Sequence, residues 1–157
     1  MSIKRRIIVG GTAGALSLAT AVVSQFEGYR SEAYRDPVGI PTICYGHTGD
    51  VDMGQTLSKA RCKELLAKDL GDAFDAVDQR VEVELPPARR AALASFVYNV
   101  GEGKFARSTL LKRLNAGKVR AACEELNRWV YAKGRKLAGL IKRRAAEREL
   151  CLRGLDQ

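Results

Sequence analysis

The stretch Glu27-Gly28-Tyr29-Arg30-Ser31-Glu32-Ala33-Tyr34-Arg35-Asp36, continued by Pro37-Val38-Gly39-Ile40-Pro41-Thr42-Ile43-Cys44-Tyr45-Gly46-His47, decides how this chain folds. Asp36-Pro37-Val38-Gly39 is a turn signal, because Pro presets φ and Gly accepts conformations closed to other residues. After it, Ile40, Thr42 and Cys44 with their β-favouring neighbours read as a short strand that ends near Gly46. Before it, Phe26 to Arg35 is polar with scattered aromatics. A small lobe containing a hairpin is the inference.

C-terminal to this lobe the apolar period changes from two to about 3.6 residues. Cys62, Leu65, Leu66, Leu70, Ala73, Phe74 and Val77 recur at helical spacing, predicting one long amphipathic helix from Ser58 to Arg80 that joins two lobes. Pro86-Pro87 opens another helix, which carries Leu93, Phe96, Val97 and Val100 and stops at Gly101. Ser108 is an N-cap for Leu110, Leu111 and Leu114, with Gly117 as the stop. Val119, Ala122, Cys123, Leu126 and Val130 continue the helical period, and a basic stretch of helical character closes the chain. The expected class is α+β, mainly α, with two lobes and one small sheet.

N-terminal to the opening stretch, Lys4, Arg5 and Arg6 precede an uncharged run from Ile7 to Ser24, which reaches the lower limit for a membrane-spanning helix. The basic flank predicts a cytoplasmic N-terminus and a periplasmic remainder. Only Ile7, Ile8, Val9, Leu16, Leu18, Val22 and Val23 are strongly apolar, and each such residue gains roughly 0.3–0.6 kcal/mol on insertion. The run is therefore a marginal anchor. A signal peptide cleaved near Ala19-Thr20-Ala21, a permanent anchor, a helix packed within the domain, and a segment that inserts and later departs are the competing readings. The domain division expected is residues 1–24 as membrane segment and 25–157 as catalytic domain.

At 157 residues the chain has room for one domain with a real core. Its 27 Lys and Arg against 18 Asp and Glu give a formal charge of +9, which favours polyanions such as nucleic acid, anionic lipid headgroups or bacterial cell wall. Part of this charge lies in Lys133, Arg135, Lys136, Lys142, Arg143, Arg144, Arg148 and Arg153, which also reads simply as a solvated helix face. Four cysteines without a CxxC pair, beside a single His, argue against a metal site. An exported domain would have its cysteines paired, and four cysteines allow three connectivities.

Glycosidic hydrolysis needs a carboxyl group to protonate the leaving oxygen and a carboxylate across the sugar. Glu27 and Asp36 flank a helix end and a turn, where two side chains can face one cleft. Their context is more telling than their spacing: Gly28 and Tyr34 lie between them, and Gly39, Thr42, Gly46 and His47 follow. This pattern resembles the T4-type phage lysozyme family, whose signature is Glu, eight residues, Asp, five residues, Thr, then Gly-His. The resemblance continues through Phe96-Val97-Tyr98-Asn99-Val100-Gly101, Ser108-Thr109-Leu110-Leu111 and Trp129 to the basic helix, covering about Gln25 to Leu152.

What the resemblance implies is a two-lobed, lysozyme-like phage endolysin. It is expected to hydrolyse the β-1,4 bond between N-acetylmuramic acid and N-acetylglucosamine by an inverting mechanism, needing neither cofactor nor metal. Glu27 is carried over as proton donor, Asp36 as the base that activates water, and Thr42 as the hydroxyl that helps place it. An apolar cleft that keeps Glu27 protonated while Asp36 stays ionised would suit these roles. Tyr98 and Asn99 fall where the family lines its saccharide cleft, with Thr48 and Thr109 as weaker candidates. His47 is expected in a structural ion pair with Asp69, and the disulfides as Cys44–Cys62 and Cys123–Cys151.

Family members also place a short helix directly before the catalytic Glu, here about Ser17 to Phe26, inside the uncharged run. That overlap resembles the signal-anchor-release endolysins of lambdoid phages, and it implies an enzyme inactive while tethered and active once released to the periplasm. Peptidoglycan and the inner membrane are then the expected partners, nucleic acid is not, and the protein is a monomer. The rival from another class is a basic, membrane-anchored binding protein without catalysis.

Overall fold

The computed structural model describes residues 12–155. Lys4, Arg5, Arg6 and the start of the uncharged run lie outside the described residues. The first element, α1 (Thr12–Glu27), is helical to its last turn. Ala15, Ala19, Val22 and Val23 point inward at helical spacing, while Gly14, Ser17, Ala21 and Gln25 face out. The helix packs on three later helices, so the boundary between residues 24 and 25 falls within a continuous core element. No helix among the described residues is long and apolar enough to cross a membrane.

Strands β1 (Arg30–Arg35), β2 (Pro41–Cys44) and β3 (His47–Thr48) form an antiparallel sheet in that order. Tyr34 pairs with Thr42, and Thr42 with Thr48. The turn between β1 and β2 is closed by Asp36, whose backbone N–H donates to the Ile40 carbonyl at 3.0 Å and whose carbonyl accepts from Gly39 at 2.9 Å. The polar stretch before Asp36 thus forms the end of α1 and strand β1, because its backbone finds partners on β2 and on residues 55–57 that sequence polarity does not reveal.

Helix α2 (Lys59–Arg80) begins where expected, with the Ser58 hydroxyl accepting from the Arg61 N–H at 3.2 Å. Its buried face is Cys62, Leu66, Leu70, Ala73, Phe74, Ala76 and Val77, and it links the sheet to the helical lobe. Helix α3 (Pro87–Val100) is buried continuously from Ala91 to Val97, since α1, α2 and a later helix surround it. It ends at Gly101, whose φ of +91° a side chain would resist. Short helices α4 (Glu102–Ala106), α5 (Thr109–Asn115) and α6 (Val119–Glu124) follow.

The helical period does not run to Val130. After α6 a 3-10 turn covers Glu125–Arg128, and a second small sheet forms from β4 (Tyr131–Ala132) and β5 (Arg135–Lys136). Lys133 and Gly134 between them both have positive φ, 50° and 75°, the geometry of a two-residue hairpin turn. Only then does α7 (Ala138–Leu152) begin. Disulfides tie β2 to α2 through Cys44–Cys62 and α6 to α7 through Cys123–Cys151. Loops of 18 and 28 residues closed in this way stabilise the fold by about 3 kcal/mol each.

Candidate active site

Glu27 is the last residue of α1, and Gly28 beyond it turns the chain with a φ of +70°. The acid therefore stands at the seam between the helical lobe and the sheet. Its Oε1 accepts from Arg143 Nη1 at 2.5 Å. Its Oε2 lies beside Gly46: a Cβ at that position would sit 2.9 Å from Oε2 and 3.8 Å from the Tyr98 hydroxyl oxygen. Gly46 also has a φ of +79°, so both space and backbone demand glycine there.

A cavity of about 340 Å³ opens at this point, lined by Glu27, Gly46, Thr48, Asp69, Tyr98 and Asn99. Tyr98 donates its hydroxyl to the Tyr45 carbonyl at 2.6 Å, fastening α3 to the sheet. Burial first, and then the negative charge of Glu27, push the Tyr98 phenol pKa up, so it stays a neutral donor. His47 Nδ1 lies 2.6 Å from Asp69 Oδ2, and its Nε2 lies 3.1 Å from the Gly49 carbonyl. Both ring nitrogens thus face acceptors, one on α2 and one on the loop after β3.

Asp36 and Thr42 are not among the residues lining this cavity. Asp36 Oδ1 accepts from the Val38 and Ile40 N–H groups, both at 2.9 Å, which fixes the carboxylate on its own turn. Thr42 is buried and donates to the Ile40 carbonyl at 2.9 Å; its cross-strand partner Thr48 reaches the cavity from the same face of the sheet. Thr109 lies elsewhere, lining a separate cavity of about 410 Å³ with Lys104, Arg107, Ser108, Glu125, Arg128 and Trp129.

Two arginines that the basic stretch presents as surface charge are buried behind the acid. Arg143 is 3 % exposed and Arg144 1 % exposed, and the completely buried Glu147 lies between them. Arg143 Nε meets Glu147 Oε1 at 3.2 Å and its Nη2 donates to the Ser95 carbonyl at 3.2 Å, while the Ser95 hydroxyl donates to Glu147 at 2.7 Å. Arg144 donates to Glu147, to Asn99 Oδ1 and, at 2.9 Å, to the Trp129 carbonyl. A continuous charged chain therefore runs from Glu27 through Arg143, Glu147 and Arg144 to Asn99. With Oδ1 of Asn99 occupied, its amide N–H₂ is left for the cavity. The sequence carries one sign of this cluster: Glu147 stands three and four residues after two adjacent arginines in an otherwise basic run.

Gly46→Ala is expected to separate fold from site. The left-handed φ costs about 1–2 kcal/mol, whereas a displacement of the Glu27 carboxyl approaching 1 Å lowers turnover about 10²-fold. Thermal unfolding beside turnover kinetics measures both. Wild-type turnover in this variant would show that the glycine does not fix the acid.

A carboxyl group held at a helix end over a polar cleft, between a small sheet lobe and a helical lobe joined by a long helix, is the architecture of a lysozyme. The chain belongs to the phage lysozyme family, matched over residues 24–147. It is 41% identical to the SAR-endolysin of Bacteriophage PS119 and 40% identical to that of Enterobacteria phage P21, each alignment covering 98% of this chain and 96% and 97% of the relative. Among solved structures, a phage P22 lysozyme mutant is similar with a TM-score of 0.78 at 37% identity, over 87% of this chain and 96% of that one. The active form of the P1 phage endolysin Lyz gives 0.80 at 26% identity, over 88% and 84%. The activity is that of a phage endolysin, a muramidase whose substrate is peptidoglycan.

Proposed function

We propose that Glu27 protonates the glycosidic oxygen between N-acetylmuramic acid and N-acetylglucosamine, while Asp36 activates a water on the opposite face of the sugar and Thr42 helps to place it. The observation that carries this reading is the asymmetry of the Glu27 carboxyl group: Arg143 holds Oε1, and Oε2 is left against Gly46 at the cavity. One oxygen is anchored and the other is free to carry the proton. Asp36, with Oδ1 bound to two backbone N–H groups, has its second oxygen available for water. Such a division of labour between two carboxyl groups gives inversion at the anomeric carbon. Tyr98, Asn99 and Thr48 contact the sugar in the cleft, and Thr109 contacts glycan at the separate cavity it lines.

The same reading covers the N-terminus. The marginal hydrophobic run first tethers the chain in the inner membrane with the domain in the periplasm, and then leaves the bilayer to form α1. Support comes from Ala15, Ala19, Val22 and Val23 being core residues here, since a residue cannot lie in lipid and in this core together. Cleavage after Ala21 would strip two of them from the fold, which favours release of the intact segment over removal of a signal peptide. The released enzyme acts as a monomer on wall material and has no use for nucleic acid.

One experiment tests both halves. Gly14, Ser17 and Ala21 face outward on α1, so leucines there strengthen insertion without entering the core. The released wild type is expected to liberate muropeptides whose new reducing end is initially α by proton NMR, and the leucine-fixed form to liberate none. An initial β product overturns the inverting assignment. Equal wall degradation by the fixed form overturns the tether.

A further inference from the structure

One surface patch is used by neither the fold nor the cleft. From Leu126 to Ala146 the sequence contains no Asp or Glu, yet it holds Arg128, Lys133, Arg135, Lys136, Lys142, Arg143 and Arg144. The fold divides these cations. Arg143 and Arg144 turn inward to Glu147, whereas Lys133, Arg135, Lys136 and Lys142 are exposed, and none of the four is paired with a carboxylate among the described residues.

Large apolar side chains sit among the free cations. Tyr131 is 61 % exposed, Leu137 41 % and Ile141 42 %. Tyr131 pairs with Lys136 across the β4–β5 hairpin, and Ala132 with Arg135. The Leu137 carbonyl accepts from the Ile141 N–H at 3.0 Å, so these two residues lie one turn apart at the start of α7. Hairpin and start of α7 are contiguous in chain, so four exposed cations and three exposed apolar groups fall within residues 131–142.

This combination discriminates between polyanions. A hydrated glycan or peptide offers partners for lysine and arginine but no apolar phase for Leu137 and Ile141. A bilayer surface offers both, with phosphates for the cations and the acyl boundary for the aliphatic chains and the tyrosine ring. We infer that the β4–β5 hairpin and the first turn of α7 form a docking face for a bilayer surface rich in anionic phospholipid. This face is independent of α1, and it holds the folded enzyme near the membrane.

Co-sedimentation of the full-length protein with vesicles tests the assignment, using phosphatidylglycerol mixed with phosphatidylethanolamine beside pure phosphatidylcholine. Wild type is expected to bind the anionic vesicles at least tenfold more tightly than the neutral ones, with the difference lost in high salt. Neutralising Lys133, Arg135, Lys136 and Lys142 to Gln together should remove that tenfold preference, and Tyr131→Gln with Ile141→Gln should weaken binding while leaving its salt dependence. Binding through α1 is common to all variants and is read from the neutral vesicles. Hydrolysis of soluble peptidoglycan fragments and the thermal midpoint should be unchanged, as none of these residues lies in the cleft. Equal anionic-vesicle binding by wild type and the quadruple variant overturns the proposal. So does a variant that loses binding to purified sacculi but not to vesicles, which would make the face a wall contact.

Discussion

Glu27→Gln is expected to lower the rate of wall hydrolysis by about 10²–10⁴-fold, the range associated with loss of a positioned general acid. A turbidity assay on permeabilised Gram-negative cells measures it directly. The glutamine keeps an oxygen for Arg143 and nearly the same volume, so the cleft should hold its shape. What disappears is the transferable proton on the oxygen facing the cavity. Asp69, the other carboxyl group at that cavity, is paired with His47 and is left unchanged in this variant. Retained activity in Glu27→Gln, with an unchanged thermal midpoint, would remove Glu27 from the mechanism.

Glu147→Gln should have the largest effect on stability. Glu147 is completely buried and is the carboxylate shared by Arg143 and Arg144, themselves almost without solvent contact. Breaking a buried ionic group by removing one partner costs about 3–5 kcal/mol, because the remaining charge is left without compensation. For a chain of this size that corresponds to a fall in thermal midpoint on the order of 10 °C. Arg143 would then keep Glu27 as its one carboxylate partner among the described residues, beside the Ser95 carbonyl, so activity should fall as well. A useful contrast is Glu64→Gln, whose partner Arg61 is well exposed; surface pairs of that kind are worth about 0–1 kcal/mol. Differential scanning calorimetry of the two variants compares them. Equal midpoints would mean that the buried cluster contributes no more than a surface pair.

The difference between those two glutamates marks the limit of what was legible in the chain. Ser108 as the α5 cap, Pro87 as the opening of α3 and Gly101 as its stop were readable, because each acts through local backbone geometry. The disulfide pairs and the His47–Asp69 contact were legible only through family resemblance, since they join residues 18 to 28 apart. The β4–β5 hairpin was hidden because the positive φ of Lys133 is set by a turn that helical periodicity does not register. Arg143 and Arg144 looked like surface charge for a related reason. Sequence shows the charge of a side chain, whereas its burial depends on a carboxylate and a serine contributed by the packed fold.

The sequence by itself determined the helical periods, the turn at Asp36 and the spacing of Glu27 and Asp36 along the chain. These follow from interactions between near neighbours in the chain. Tertiary structure alone decided which oxygen of Glu27 faces the cavity, because Arg143, 116 residues away, holds the other. It also decided the environment of the N-terminal run. The apolar positions of Ala15 to Val23 suit either lipid or protein, and only the packed surfaces of α2, α3 and α7 give them a core to join.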